Sequence, residues 1–288
     1  LSVGASTLMN TMMNIMTPAL FAVAPGMIIN TLFFVQGIGT TGGQRLVGKY
    51  AQNFEAWKMV NAILLILGLV GTLLFILIKF SVPRQKPPEK AEANSFKQVL
   101  SNPAFFWLTC ILGLYFIAEH GMMNWFMNYA VKQFQFSTDE ASVYLALFFG
   151  GMTVGRLVFS PLVHRWGMKK SIFIFGGTGS VCYALGAFGG EPTLGVLAFA
   201  GILLSIIYPT FVMMIQGYYK DSIVATATGM IISVATVFDI LFNAGYGKVV
   251  DILGLRYSFL ILPAAVLLFF ALLSLFFLRE RKKTAIIK

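Results

Sequence analysis

Charge is what this chain has least of. Only 11% of its 288 residues are Asp, Glu, Lys or Arg, and 58% are hydrophobic. Water-soluble domains carry about 25% charged residues. A surface so poor in charge does not face water over most of its area, which excludes a soluble globular protein and points to an integral membrane one. Cysteine and histidine are scarce as well. Cys110 and Cys182 both lie in apolar runs and read as small hydrophobes, not as a disulfide or metal framework. His120 and His164 are the only histidines, so no metal cluster of ordinary ligand spacing can be assembled. GGTGS at Gly176 to Ser180 has the glycines of a phosphate loop but no basic residue after it. The sequence therefore predicts no enzyme, no catalytic residue and no metal. The net charge of +10 sits in short loops beside apolar spans, as the positive-inside rule requires, and nucleic acid is excluded as a partner.

What the sequence has in abundance is apolar runs. A membrane helix needs about 20 residues, and nine candidate spans meet that length, near 2–20, 24–47, 58–80, 104–131, 140–163, 171–190, 193–218, 223–249 and 256–279. The fold class expected is an all-α membrane protein. One long polar stretch, SVPRQKPPEKAEANSFKQVLSN, has the prolines, charges and small residues of a linker. It divides the chain into 1–80 with three spans, a linker at 81–103, and 104–288 with six spans and a tail. The chain opens on Leu1 and is apolar at once, without the charged stretch and cleavage site of a signal peptide. The expectation is a chain that begins in the middle of a membrane domain. With the linker placed in the cytoplasm, fourteen of the 21 lysines and arginines fall inside, six outside, and Arg156 within a span. That asymmetry predicts a multi-pass protein of the cytoplasmic membrane with a cytoplasmic C-terminus.

Several polar residues interrupt the spans. Tyr115 to Phe126 reads YFIAEHGMMNWF, and an ionisable side chain in lipid costs roughly 2.5–3.5 kcal/mol unless it has a partner, a watery cavity or a task. His120, Asn124 and Asn128 share one helical face, with Glu119 on the next. Two readings stand for Glu119: a carboxylate that binds a coupling proton, or one that pairs with His120 or another helix and fastens the bundle. In SVATVFDILFNAGYGK, Ser233, Thr236, Asp239 and Asn243 also share a face. Asp239 is either a cavity residue or a packing carboxylate paired to a neighbouring helix. Asn10 and Asn14 lie one turn apart, and with Asn30 and Gln36 they either meet a solute or bond between helices. Arg156 reads as a partner of the loop that follows its helix.

That loop carries a resemblance. Gly151 and Gly155 allow close helix approach, and SPLVHRWGMKK, Ser160 to Lys170, follows. It resembles the major facilitator superfamily pattern G-x-x-x-D-R-x-G-x-x-K. Arg165 and Gly167 match and the final Lys falls on Lys170, beside Lys169, while Ser160 stands for Gly and His164 for Asp. The leading spans are similar to the fucose permease and sugar-porter branch: Asn14 and Asn30 match its patterns E-T-A-A-N-P and L-N-L-A-Q-x-F-x-x-x-G, Gln36 takes a place where an amide is often found, and Gly39 matches the glycine. Asn10 departs from them, falling where the branch has an ionisable Glu. The resemblance implies helices four to twelve of a twelve-helix plan and a substrate site near the midplane between two halves. It implies a monomeric transporter that moves a small polar solute, a sugar, by alternating access with a proton as coupling ion. The substrate set is then Asn10, Asn14, Asn30, Gln36, Asn124, Asn128, Asp239 and Asn243. Glu119 and Asp239 serve coupling, and Arg165, Gly167 and Lys169 form a cytoplasmic gate loop. Two alternatives remain: efflux of a drug or metabolite by the same fold, and a non-transporting nine-helix remnant or sensor.

Overall fold

The computed structural model describes residues 9–10, 12–13, 16–17, 25–51, 53–77 and 95–286. Their regular structure is helical: α1 (Pro25–Tyr50), α2 (Phe54–Leu77), α3 (Ser95–Ser101), α4 (Pro103–Phe134), α5 (Thr138–Trp166), α6 (Met168–Phe188), α7 (Leu194–Leu204), α8 (Ile207–Gln216), α9 (Val224–Phe259) and α10 (Ile261–Ile286). Among the described residues seven spans are long and apolar enough to cross a bilayer, α7 and α8 counting as one with the short turn Glu191–Thr193 before them. Helix α1 is not among the seven, because Gln36, Thr40, Thr41, Gln44 and Arg45 dilute its apolar run. Most of the span expected at 2–20 lies outside the described residues. So does 81–94 of the linker, whose end folds as α3 with Ser95 and Val99 buried.

Local chemistry sets the helix ends. Asn102 caps α4, its side-chain oxygen accepting from the Ala104 N–H at 2.9 Å, with Pro103 in the first turn where no amide proton is needed. Ser137 and Glu140 make a reciprocal capping box at the start of α5. Gly167 ends α5 at φ 81°, a backbone conformation open to glycine, and α6 starts on the next residue. The chain bends again inside α9 at Gly254, φ 76°. Gly254 divides α9, so its regular first part ends a few residues past the span expected to end at 249, and a short helical piece up to Phe259 precedes α10 close to the start expected at 256.

Helix α4 lies at the centre, packed against α9 and α10, while α7 fills the angle between α5 and α6. Tyr115, Phe126, Phe148, Tyr183 and Phe211 are fully buried there. Gly151 and Gly155 do allow close approach, and their partner is α7: a Cβ on Gly155 would lie 2.6 Å from the Ile202 carbonyl oxygen. Helix α2 touches only α1 closely and leaves its leucines and isoleucines exposed, as a lipid-facing helix does.

The two parts of the chain meet where α1 packs antiparallel along α5. Gly48 rests on Ser142, Thr41 on Gly150, and Gly37 on Thr153. At one end of this seam the Arg45 guanidinium pairs with the Asp139 carboxylate and donates to Ser142 Oγ at 2.9 Å. Near the middle, Arg156 on α5 donates to the Phe33 carbonyl of α1 at 3.1 Å.

Candidate functional site

A cavity of about 310 Å³ opens at mid-length between α1, α4, α5, α8 and α9. Ligand sites run from about 300 to 1,000 Å³, so it suits a solute of few heavy atoms. Its polar wall comprises Asn10, Gln36, Thr40, Glu119, His120, Asn124, Thr153, Arg156, Tyr208, Thr236 and Asp239; Phe33, Phe116, Phe149, Met123, Met152 and Ile232 supply the apolar remainder.

The wall formed by α4 and α9 holds one connected network. His120 Nδ1 lies 2.8 Å from Asp239 Oδ2. Asn243 donates to Asp239 Oδ1 at 2.7 Å, and its own oxygen accepts from Asn124 at 3.1 Å and from the Trp125 indole at 2.8 Å. Asp239 is buried while His120 keeps an exposed edge on the cavity, stacked on Phe116 with ring centres 5.2 Å apart. Regular helices produce this arrangement: residues four apart stack on one face, so 120 and 124 on α4 meet 239 and 243 on α9. Across the cavity, Gln36 donates to Asn10 Oδ1 at 3.1 Å.

The expected site residues separate accordingly. Asn10, Gln36, Glu119, Asn124 and Asp239 line the cavity. Asn243 stands behind Asp239, and Asn128 lies one turn farther along α4, off the cavity wall. Asn14 and the Asn30 side chain lie outside the described residues. For Asp239 the structure combines both sequence readings, since it lines the cavity and pairs with another helix. Glu119 is not paired with His120. Among the described residues, neither Glu119 nor Arg156 takes part in an ion pair.

Arg156 is the residue the sequence reading misplaced. It does not reach the following loop but stands on the cavity wall, with Nε 3.4 Å from the Ser205 carbonyl and its guanidinium 5.4 Å from the centre of the Phe33 ring. The Ser205 carbonyl is available because Pro209, four residues on, has no N–H to offer it. The neighbouring Leu204 carbonyl accepts from the Tyr115 hydroxyl at 3.3 Å. An arginine within a span was itself the signal that a cavity or partner had to be there.

The loop at Arg165 to Lys169 lies at one end of the bundle. Arg165 is exposed, Gly167 is the helix stop, and Lys169 donates to Glu280 on α10 at 2.7 Å. Tyr218, in the turn after α8, donates to the same carboxylate oxygen at 2.6 Å, and its backbone carbonyl accepts from Asn102 at 3.0 Å. Burial, and then the Glu280 carboxylate beside it, push the Tyr218 phenol above its ordinary value. The sequence offered no sign of Glu280 or Tyr218.

Comparisons with known proteins bear on the fold that carries this cavity. The pattern described as Major Facilitator Superfamily matches residues 1–243. Among solved structures, one of the superfamily transporter FucP in the outward conformation is similar at 18% identity and a TM-score of 0.57, covering 76% of this chain and 54% of that one. A variant of the E. coli fucose:proton symporter FucP is similar at 16% identity and a TM-score of 0.66, covering 93% of this chain and 72% of that one. At these identities the likeness concerns the fold. This chain spans about half of the first structure's length. No curated protein matches by sequence.

Proposed function

Because this chain belongs to the major facilitator superfamily of transporters, we propose that it moves a small polar solute, a sugar, across the cytoplasmic membrane by alternating access in symport with a proton. One observation carries the reading: a buried carboxylate and a histidine, 2.8 Å apart, stand on the wall of a cavity that also presents amides. A proton arriving there changes the charge of the pair, and amides can both donate to and accept from sugar hydroxyls. The distribution of lysine and arginine supports a cytoplasmic C-terminus. On that orientation the Lys169–Glu280–Tyr218 cluster lies inside, and the Arg45–Asp139 pair closes the outer end of the seam.

The test is uptake of radiolabelled L-fucose and D-galactose into proteoliposomes bearing the purified chain, with an imposed pH gradient, alkaline inside. Accumulation above equilibrium that collapses with an uncoupler is the expected result. Absence of uptake for either sugar under every gradient would remove the sugar reading. Efflux of a drug or metabolite is the second reading, favoured by the Phe and Met side chains on the cavity wall. Drug extrusion without sugar uptake would select it.

The outer pair makes a separate prediction. Arg45→Glu should loosen the outer seam, so that a cysteine replacing the buried Thr153 reacts faster with a membrane-impermeant thiol reagent added outside. The expected gain is only a few fold, because solvent screens an exposed pair. Adding Asp139→Lys should restore the slow rate.

A further inference from the structure

Arg156 carries a permanent charge, since a guanidinium does not deprotonate in proteins. A bond between helices needs no such charge, and keeping one within a membrane span calls for a task. Its setting has three parts. The side chain lines the cavity. Two of its five N–H donors are placed, one on the Ser205 carbonyl and one on the Phe33 carbonyl. No carboxylate pairs with it among the described residues, so three donors are left for whatever enters the cavity. Those donors do not wander, because the two carbonyls and the Phe33 ring hold the guanidinium plane.

We propose that Arg156 is a solute-contacting residue whose free guanidinium edge takes two neighbouring oxygens of the solute. This rests on the sugar reading given above and specifies one of its contacts. The planar fork of a guanidinium matches paired oxygens, which a lysine ammonium does not. Two kinds of solute present such a pair: a neutral sugar through adjacent hydroxyls, and a sugar acid through its carboxylate. The Phe33 carbonyl belongs to the first half of the fold and Arg156 to the second. A solute that draws the guanidinium toward the cavity weakens that bond across the seam, so occupancy of the cavity and separation of the halves are coupled at one side chain.

The test uses the full chain purified in nanodiscs, with D-galactose and D-galacturonate as probes and Arg156→Lys and Arg156→Gln as variants. Binding is read by the thermal shift each probe causes. We expect at least one probe to bind the unmodified chain, and its affinity to fall about tenfold or more in Arg156→Lys, as loss of a charge-assisted contact implies. Galactose binding identifies the neutral oxygen pair; binding of galacturonate alone identifies the carboxylate. Equal affinity in Arg156→Lys overturns the proposal and leaves the sugar reading standing. If neither probe binds the unmodified chain, the sugar reading falls and this inference falls with it.

A second measurement does not require the variants to fold. A Cβ on Gly150 would lie 3.2 Å from Thr41 Cγ2, so cysteines at 41 and 150 span the seam within disulfide reach. With Arg156 intact, a saturating probe should slow their oxidation. An unchanged rate would overturn the competition between solute and seam.

Discussion

On the proposed proton symport, Asp239→Asn is expected to abolish uphill solute accumulation while exchange of solute at equal concentrations stays measurable. Asparagine keeps the shape and one acceptor oxygen, so Asn243 retains a partner, but it cannot take up the charge of a coupling proton. His120 would then face a neutral group where it now has a carboxylate at 2.8 Å. A drop of about tenfold or more in accumulation, with exchange within about a factor of three, is the signature of lost coupling, as distinct from the general loss that a disrupted site produces. Because Asp239 is buried, the thermal midpoint of the variant has to be measured alongside. A damaged hydrogen bond at such a site costs about 1–3 kcal/mol, and transport should be compared well below that midpoint. Glu119→Gln provides the contrast on the same wall. If it alone removes accumulation and Asp239→Asn does not, the proton binds at Glu119 and the pair on α4 and α9 serves to hold the helices together.

Gly201→Leu should prevent the second half from folding. Gly201 lies on α7 where that helix crosses α5, and a Cβ there would overlap the Phe148 backbone carbonyl. Backbone cannot rotate out of the way as a side-chain tip can, so the two helices must separate. Overpacking of this kind typically costs about 1–3 kcal/mol and sometimes more. Fluorescence-detected size exclusion should show the monodisperse peak lost or strongly reduced. Gly195 on the same helix is the control, because a Cβ there meets nothing within 4 Å. Gly195→Ala should leave the peak unchanged or slightly raise the thermal midpoint, since alanine has the higher helix propensity. A Gly201→Leu protein as stable as Gly195→Ala would show that α5 and α7 do not approach each other as described.

The spans were legible in the sequence because bilayer thickness fixes helix length, and a run of 20 apolar residues has few other uses. The face carrying Asp239 and Asn243 was legible too, since helical spacing alone places them together. Its partners were not: His120 and Asp239 are 119 residues apart, and no local pattern reports a meeting of two helices. Lys169 and Glu280 were hidden for the same reason. Glu280 read as one more charge in a basic tail, though it accepts from both a lysine and a tyrosine. The end of the regular part of α9 was legible to within a few residues. Lys248 and Asp251 mark where the apolar run stops, and the backbone leaves helical geometry shortly after, at Gly254. Arg156 was given to the nearest loop by sequence proximity, whereas its depth in the span pointed to the cavity.

The break between α7 and α8 bears on how the protein is made. Its Leu204 and Ser205 carbonyls accept from Tyr115 on α4 and Arg156 on α5, both of which precede it in the chain. Such a broken helix released alone into lipid would expose polar backbone atoms, at several kcal/mol for each unsatisfied group. Synthesis runs from the N-terminus, so the two helices that supply the missing donors emerge from the ribosome first. The order of the chain thus lets this span enter the bilayer against a surface that already holds its partners. A rearranged gene placing 194–216 ahead of 103–166 would ask the insertion machinery to release it without them.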